Sequence, residues 1–297
     1  MSLFTGLSAF PITPTDAKGQ VDTAALRHLL DRITEAGADS IGLLGSTGTY
    51  MYLSRAARAQ LIRASSDHLK SSTPLIASVG ALRTDDAVAL AQDARAAGAN
   101  ALLLAPVSYT PLTQEEVYQH IITVADATEL PLCIYNNPGT THFSFNTDLI
   151  ARLAKHPHIA AIKMPLPANG DVAAELSQLR ALVPDDFRIG YSGDWGCAAA
   201  LLAGADVWFS VVGGILPDVA ARLTQAAMAG DNGAVGQMNT QLTPLWQLFQ
   251  EFGSLRIVYA VAHKLAVTDA LPPRPILPVP VDVQKRVADA LAPFAKS

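Results

Sequence analysis

A four-residue pattern recurs three times in this chain. Each copy lies between a helix-like stretch and an apolar run of strand length. The copies are Ala36-Gly37-Ala38-Asp39, Ala97-Gly98-Ala99-Asn100 and Ala203-Gly204-Ala205-Asp206. Glycine at the second position supplies the left-handed residue that ends a helix, and its small neighbours let the chain turn tightly into a buried strand. Three copies of one helix-to-strand connection point to a protein assembled from βα units, and few architectures accommodate that.

The runs between these connections fit the same plan. Strand-length apolar segments fall at Gly6–Phe10, Ser40–Leu44, Pro74–Val79, Ala101–Ala105, Leu132–Tyr135, Ile159–Lys163, Arg188–Tyr191 and Val207–Val212. None alternates polar with apolar, as expected of strands covered on both faces of a parallel sheet. Helical stretches fall between them at about Thr23–Ala36, Arg55–Leu69, Asp85–Ala97, Gln114–Thr128, Thr147–Ala154, Val172–Leu182, Cys197–Ala203 and Asp218–Ala229. Cap signals precede several of them: Asp22, Ser54, Thr84 with Asp85, Thr113 before Gln114-Glu115-Glu116, and Asn146. Eight such pairs in the first 230 residues predict a (β/α)8 TIM barrel, a fold of roughly 250 residues. A doubly wound open sheet is the second reading, although no G-x-G-x-x-G follows the first strand. From residue 231 to 297 the pattern is helical only, at Gly233–Phe252, Ser254–Thr268 and Asp282–Phe294. This predicts a C-terminal helical extension of the same domain.

Composition narrows the function classes. Half the chain is apolar, 16% is charged and the net charge is −5, with no basic stripe, so nucleic acid is not an expected partner. No stretch reaches the ~20 uncharged apolar residues of a membrane span. Met1 to Pro14 lacks the basic and apolar regions of a signal peptide, so the expectation is a cytoplasmic protein. Cys133 and Cys197 sit in apolar segments and read as reduced core thiols. The seven histidines, His156 and His158 among them, show no ligand spacing, and no metal site is expected.

Barrel sites form where strands end and loops begin. Those positions hold Gly45-Ser46-Thr47-Gly48-Thr49, then Ser108-Tyr109, Tyr135-Asn136-Asn137-Pro138-Gly139-Thr140, Lys163, Ser192-Gly193-Asp194, and Phe209-Ser210 before Gly213-Gly214. Lys163 closes the apolar run Ile159-Ala160-Ala161-Ile162. An amine held among apolar groups is favoured in its neutral, nucleophilic form and can form an imine with a carbonyl. An ordinary surface lysine beside a carboxylate is the plainer alternative. Tyr135 reads as a packing tyrosine or as a general acid and base served by hydroxyls such as Ser46 and Tyr109. Gly45 to Gly48 reads as a plain turn or as a set of N–H groups and hydroxyls for a carboxylate.

Taken together these residues resemble one family over essentially the whole chain. G-S-T-G after the second strand, Tyr109, Y-N-x-P-G at Tyr135–Gly139, Lys163 and S-G-D at Ser192–Asp194 are similar to the dihydrodipicolinate synthase/N-acetylneuraminate lyase superfamily. The resemblance implies a Schiff base between Lys163 and pyruvate or another 2-oxo acid, with no metal or organic cofactor. It implies a proton relay of Ser46, Tyr109 and Tyr135, with Tyr109 reaching into an adjacent subunit of a homodimer or homotetramer. It places the 2-oxo acid carboxylate on Ser46, Thr47 and Gly48, helped by a backbone group near Phe209.

Departures from the family pattern bear on the substrate. Thr140 stands where the lysine-pathway synthases carry an arginine for a second carboxylate, and a hydroxyl does not replace a bidentate guanidinium. Thr49 stands where glutamate is usual. Pro165 and Asp194-Trp195 differ from the neuraminate lyases. Ser108, Leu82 and Arg58 replace the residues of a lysine-feedback site, so no inhibition by lysine is expected. Thr140, Met164, Leu166, Gly193, Asp194 and Trp195 are expected to line the variable part of the pocket. The first reading is therefore a Schiff-base lyase or aldolase that makes or breaks a C–C bond to pyruvate with a partner lacking a second carboxylate, or that dehydrates or deaminates a 2-oxo acid derivative. A lysine-pathway synthase with another basic residue, and a non-catalytic 2-oxo acid-binding barrel, are the alternatives.

Overall fold

The structure, a computed structural model, describes residues 3–294. Its parallel strands follow one another around a closed barrel: β1 (Gly6–Ala9), β2 (Ser40–Leu43), β3 (Leu75–Ser78), β4 (Ala101–Leu104), β5 (Leu132–Tyr135), β6 (Ile159–Pro165), β7 (Arg188–Ser192) and β8 (Val207–Ser210). Strand β8 pairs with β1, so no edge is left and the open-sheet reading is excluded. The surrounding helices are α1 (Thr23–Glu35), α2 (Arg55–Leu69), α3 (Thr84–Ala96), α4 (Gln114–Ala125), α5 (Pro138–Thr141), α6 (Thr147–Leu153), α7 (Val172–Arg180), α8 (Asp194–Leu202) and α9 (Pro217–Met228). After them come α10 (Asn232–Phe252), α11 (Ser254–Lys264) and α12 (Val281–Leu291). None of the described helices is long and apolar enough to cross a membrane.

The repeated motif does more than end helices. Gly37, Gly98 and Gly204 all take positive φ, as their turns require. The fourth residue then clamps the start of the preceding strand. Asp39 donates its N–H to the Leu7 carbonyl at 2.9 Å, and its carboxylate accepts the Leu7 N–H at 2.8 Å. Asn100 makes the same pair with Leu75, at 2.8 Å each. Asp206 makes it with Ile189, at 2.9 and 2.7 Å. Gly6 has φ +61° and leaves room that a Cβ would take from the Asp39 carboxylate. The clamps satisfy backbone groups at the end of the barrel away from the polar loops.

Four of the expected caps form. Asp22, Ser54 and Asn146 accept from N–H groups in the first turns of α1, α2 and α6, and Thr113 with Glu116 makes a reciprocal capping box on α4. Thr84 does not cap. It is the first residue of α3, and its hydroxyl lies 2.9 Å from His120 Nδ1. Helix α8 starts three residues earlier than its apolar run, because Gly193 at φ +103° turns the chain straight into it. Helix α11 stops at Lys264 rather than Thr268, where Ala266 takes φ +51° and Val267 bonds back to the Ala262 carbonyl.

Two apolar regions are separated by the wall of the barrel. Leu7, Ile41, Leu102, Ile134 and Ile162 point outward beneath the helices. Phe10, Ile76, Leu103, Cys133, Tyr135 and Phe209 fill the lumen. Both cysteines are buried and free, and burial pushes both thiols up. Strand β6 corrects one expectation. It continues past Lys163, pairing Met164 with Tyr191 and Pro165 with Ser192. Successive side chains of a strand face opposite sides. Lys163 therefore faces the lumen, and Met164 is buried in the outer core instead of lining a pocket.

Candidate active site

Lys163 is 4% exposed, and no carboxylate pairs with it among the described residues. Its ammonium nitrogen lies 4.1 Å from the centroid of Phe10, 4.2 Å from that of Tyr135 and 5.4 Å from that of Phe209. Three rings from β5, β8 and the residue after β1 thus form a cage around one amine. Tyr135 and Lys163 are direct partners across β5 and β6, and the Asn136 N–H holds the Lys163 carbonyl at 2.9 Å. Ring faces are electron-rich, so the cage attracts a cation without consuming the nitrogen in an ion pair.

The turn after β2 stands at the same end. Leu44 and Thr49 take left-handed conformations, at φ +60° and +53°, and these fold residues 45–49 back on themselves. Thr13 Oγ1 donates to the Gly48 carbonyl at 2.7 Å, and the Tyr259 hydroxyl of α11 reaches the Thr13 carbonyl at 3.4 Å. Ser46 is exposed, Thr47 buried. Among the described residues the N–H groups of Thr47 and Gly48 have no acceptor. Such a turn can receive an anion.

Asp194 was expected to face substrate, and the structure places it elsewhere. It is 2% exposed, and its Oδ1 accepts from Trp208 Nε1 at 2.9 Å, Ser210 Oγ at 2.9 Å and the Val211 N–H at 3.2 Å. Ser210 Oγ in turn accepts the Gly213 N–H at 2.8 Å. As first residue of α8, Asp194 turns down beneath the rim and ties the end of β8 to it. Burial pushes its carboxyl up to about 6, against hydrogen bonds from Ser210 and Trp208 and the charge of Lys163, which favour the ionised form.

The other expected residues are divided between cage and rim. Phe209 contributes its ring, fully buried, to the lysine cage. Thr140 is exposed on α5, with both its N–H and hydroxyl turned to the Asn137 carbonyl. Gly193, Leu166 and Trp195 meet at the rim, where a Cβ on Gly193 would lie 3.0 Å from Leu166 Cδ1 and 3.5 Å from the indole. Tyr109 is 97% exposed and does not join the cage within one chain. Sequence reading missed Phe10, whose place at the lumen end of β1 offered a signal. It also missed Tyr50, on the turn after β2, where only that turn decides which way the side chain points. Far from the cage, Asp126 lies 3.1 Å from His156 Nε2, and ligand atoms of Asp126, His156 and His158 fall within 4.8 Å of one another. His156 Nδ1 already accepts the His158 N–H at 3.3 Å, so both ring nitrogens are engaged.

A model described as the dihydrodipicolinate synthetase family matches residues 3–293. The chain is 36% identical to the 4-hydroxy-tetrahydrodipicolinate synthase of Pseudomonas aeruginosa over 258 residues, 86% of either chain. It is 33% identical to the enzyme of that name from Azoarcus sp. over 291 residues, 97% of this chain and 98% of that one. The crystal structure of dihydrodipicolinate synthase from Agrobacterium tumefaciens is similar at 57% identity and TM-score 0.96, covering 97% of each chain. A pyruvate complex of chloride-inhibited dihydrodipicolinate synthase from Acinetobacter baumannii is similar at 28% identity and TM-score 0.88, covering 98% of each.

Proposed function

The chain belongs to the dihydrodipicolinate synthetase family, and from that premise we propose that it is a Schiff-base-forming lyase or aldolase of pyruvate or a related 2-oxo acid, with Lys163 as its nucleophile. The observation that carries the reading is the one buried lysine amine among the described residues, set in three rings, one of them a phenol. The amine adds to the 2-oxo carbon and gives a carbinolamine. Tyr135 gives its phenolic proton to the departing hydroxyl, water leaves, and an iminium remains on Lys163. In synthesis, the Tyr135 phenolate takes a C3 proton to give an enamine. The enamine carbon attacks an aldehyde as Tyr135 returns that proton to the aldehyde oxygen, and the iminium re-forms, later to be released by water. In cleavage, the phenolate takes the proton of the 4-hydroxyl, the C3–C4 bond breaks, and its electrons pass into the iminium. The iminium is the electron sink, so the proposal uses no metal or organic cofactor.

The remaining roles belong to the same proposal. The N–H groups of Thr47 and Gly48, with the Ser46 hydroxyl, hold the substrate carboxylate. Ser46 relays protons from Tyr135 together with Tyr109 of a second copy. Met51, Tyr52, Leu82 and Tyr109, exposed on the loops after β2, β3 and β4, supply the rim that a homodimer or homotetramer would cover. Thr140, Gly193, Leu166 and Trp195 offer hydroxyl and apolar surface but no guanidinium to the second substrate. This favours an aldehyde without a second carboxylate, such as a sugar-acid fragment.

The names of the 33–36% identical relatives favour a second reading: condensation of pyruvate with aspartate semialdehyde. One pair of assays separates the two. Cleavage of 2-oxo-3-deoxy sugar acids with little condensation supports the first reading, and rapid condensation with aspartate semialdehyde overturns it. A non-catalytic pyruvate-binding barrel would show neither activity and no exchange of the pyruvate methyl protons.

A further inference from the structure

Arg58 of α2 is a buried cation without an anion. It is 7% exposed, and its guanidinium makes no salt bridge among the described residues. Its Nη1 donates to the Gly80 carbonyl at 3.0 Å, while its Nε is buried with no partner. Its guanidinium carbon lies 5.1 Å from the ring centroid of Tyr50. Charges so placed are costly unless paired, and one carbonyl and one ring face do not neutralise a guanidinium.

Tyr50 connects this charge to the lysine cage. It opens the short turn Tyr50–Tyr52 after the Ser46–Thr49 loop, and it alone of the three is buried, at 7% against 42% for Met51 and 47% for Tyr52. A Cβ on Gly80, just beyond β3, would lie 3.1 Å from the Tyr50 hydroxyl oxygen and 3.3 Å from the Ala105 carbonyl. The hydroxyl therefore stands over the ends of β3 and β4. Leu104 pairs with Ile134 across β4 and β5, which sets Ala105 alongside Tyr135, and these two share the lumen cluster. Among the described residues the Tyr50 hydroxyl has no hydrogen-bond partner. Burial, then the nearby Tyr135, push its phenol well up, and Arg58 opposes them.

We propose that Tyr50 and Arg58 are positioning residues behind Tyr135, and that the missing partner of Arg58 is the negative charge Tyr135 carries during turnover. The role rests on the imine reading. When Tyr135 has released its proton to the leaving hydroxyl it is a phenolate. The Tyr50 hydroxyl then turns toward it as a donor, and the Arg58 charge behind the ring stabilises the pair. The anion is absent from the resting enzyme, which accounts for a buried cation left unpaired there. An interaction that strengthens only as charge develops lowers the barrier without tightening ground-state binding. Lys163 is the other cation facing Tyr135, and Asp194 is the buried carboxylate acting on Lys163.

The test needs pyruvate alone. Exchange of its methyl protons in deuterium oxide, followed by NMR, reports proton removal from the iminium. Borohydride trapping reports imine formation separately. Y50F keeps the ring over Arg58 and removes the hydroxyl; R58Q removes the charge and R58K restores it. The expected result is a 10- to 100-fold fall in exchange kcat in Y50F and R58Q, with the pyruvate KM within about threefold of wild type. The acidic limb of the pH–rate profile moves to higher pH in R58Q and returns in R58K. A packing role would lower stability without moving that limb. Folded Y50F and R58Q proteins that trap pyruvate and exchange with the wild-type rate and profile overturn the role alone. A wild-type enzyme that traps nothing overturns the imine reading, and this role with it.

Discussion

Asp194 carries a protonation equilibrium that can be read out as stability. Its carboxyl is raised from 3.8 to about 6, chiefly by burial, so the folded protein holds this proton more tightly than the unfolded chain does. The associated stabilisation is complete below about 4 and is lost as pH rises through about 6; a shift of that size corresponds to about 3 kcal/mol. Asn at this position keeps an oxygen for Trp208, Ser210 and Val211 and removes the charge. Urea midpoints at pH 4, 5, 6 and 7 should show wild type losing stability relative to D194N across that window and a constant difference above it. Parallel curves would contradict the assignment. The residue also marks where sequence reading stops. A polar residue after the seventh strand is legible as part of the site end. Whether it faces substrate or core depends on the φ of Gly193, which sets where α8 begins. Phe10 was missed for a similar reason, because apolar patterning gives a strand's position but not which lumen-facing rings will meet; Tyr50 lies on the turn after β2, whose path alone decides which way its side chain points.

At the scale of elements, the repeated motif was the most legible feature, and the structure gives it a second task. Asp39, Asn100 and Asp206 close on Leu7, Leu75 and Ile189 near the starts of β1, β3 and β7 as the glycines turn the chain. D39A leaves the Leu7 N–H unpaired in a buried setting, at a cost of about 1–3 kcal/mol. G6A adds strain at φ +61° and drives a methyl into the same carboxylate. Because both changes act on one contact, their effects should not add. Once Asp39 is gone, the clash term of G6A disappears, and a urea double-mutant cycle should return a coupling of roughly 1 kcal/mol or more. Strictly additive values would show that the two residues act separately. The strands were legible because burial on both faces leaves unbroken apolar runs. Their ends were less so: β6 runs on through Pro165 because its neighbour β7 still offers partners, and α5 is too short for any helical period to show.

For the whole molecule, the proposed proton relay takes Tyr109, which is almost fully exposed in one chain, from a second copy. Mixing K163A with Y109F tests this. Mixed dimers hold one site with both Lys163 and a neighbour's Tyr109, so activity should recover to roughly a quarter of wild type after subunit exchange. No recovery would place Tyr109 in its own chain's site, and a fully active Y109F before mixing would place it outside catalysis. The barrel brings polar strand ends to one face and the Asp/Asn clamps to the other, and at the first of these faces a buried amine stands in a cage of rings. The central claim is that this amine forms the imine. The most direct measurement is the intact mass of the protein after incubation with pyruvate and borohydride, in wild type and in K163A. One reduced pyruvate adduct per chain in wild type, located on Lys163, and none in K163A is the predicted result. An unmodified wild-type chain, or an adduct that persists in K163A, would contradict the account.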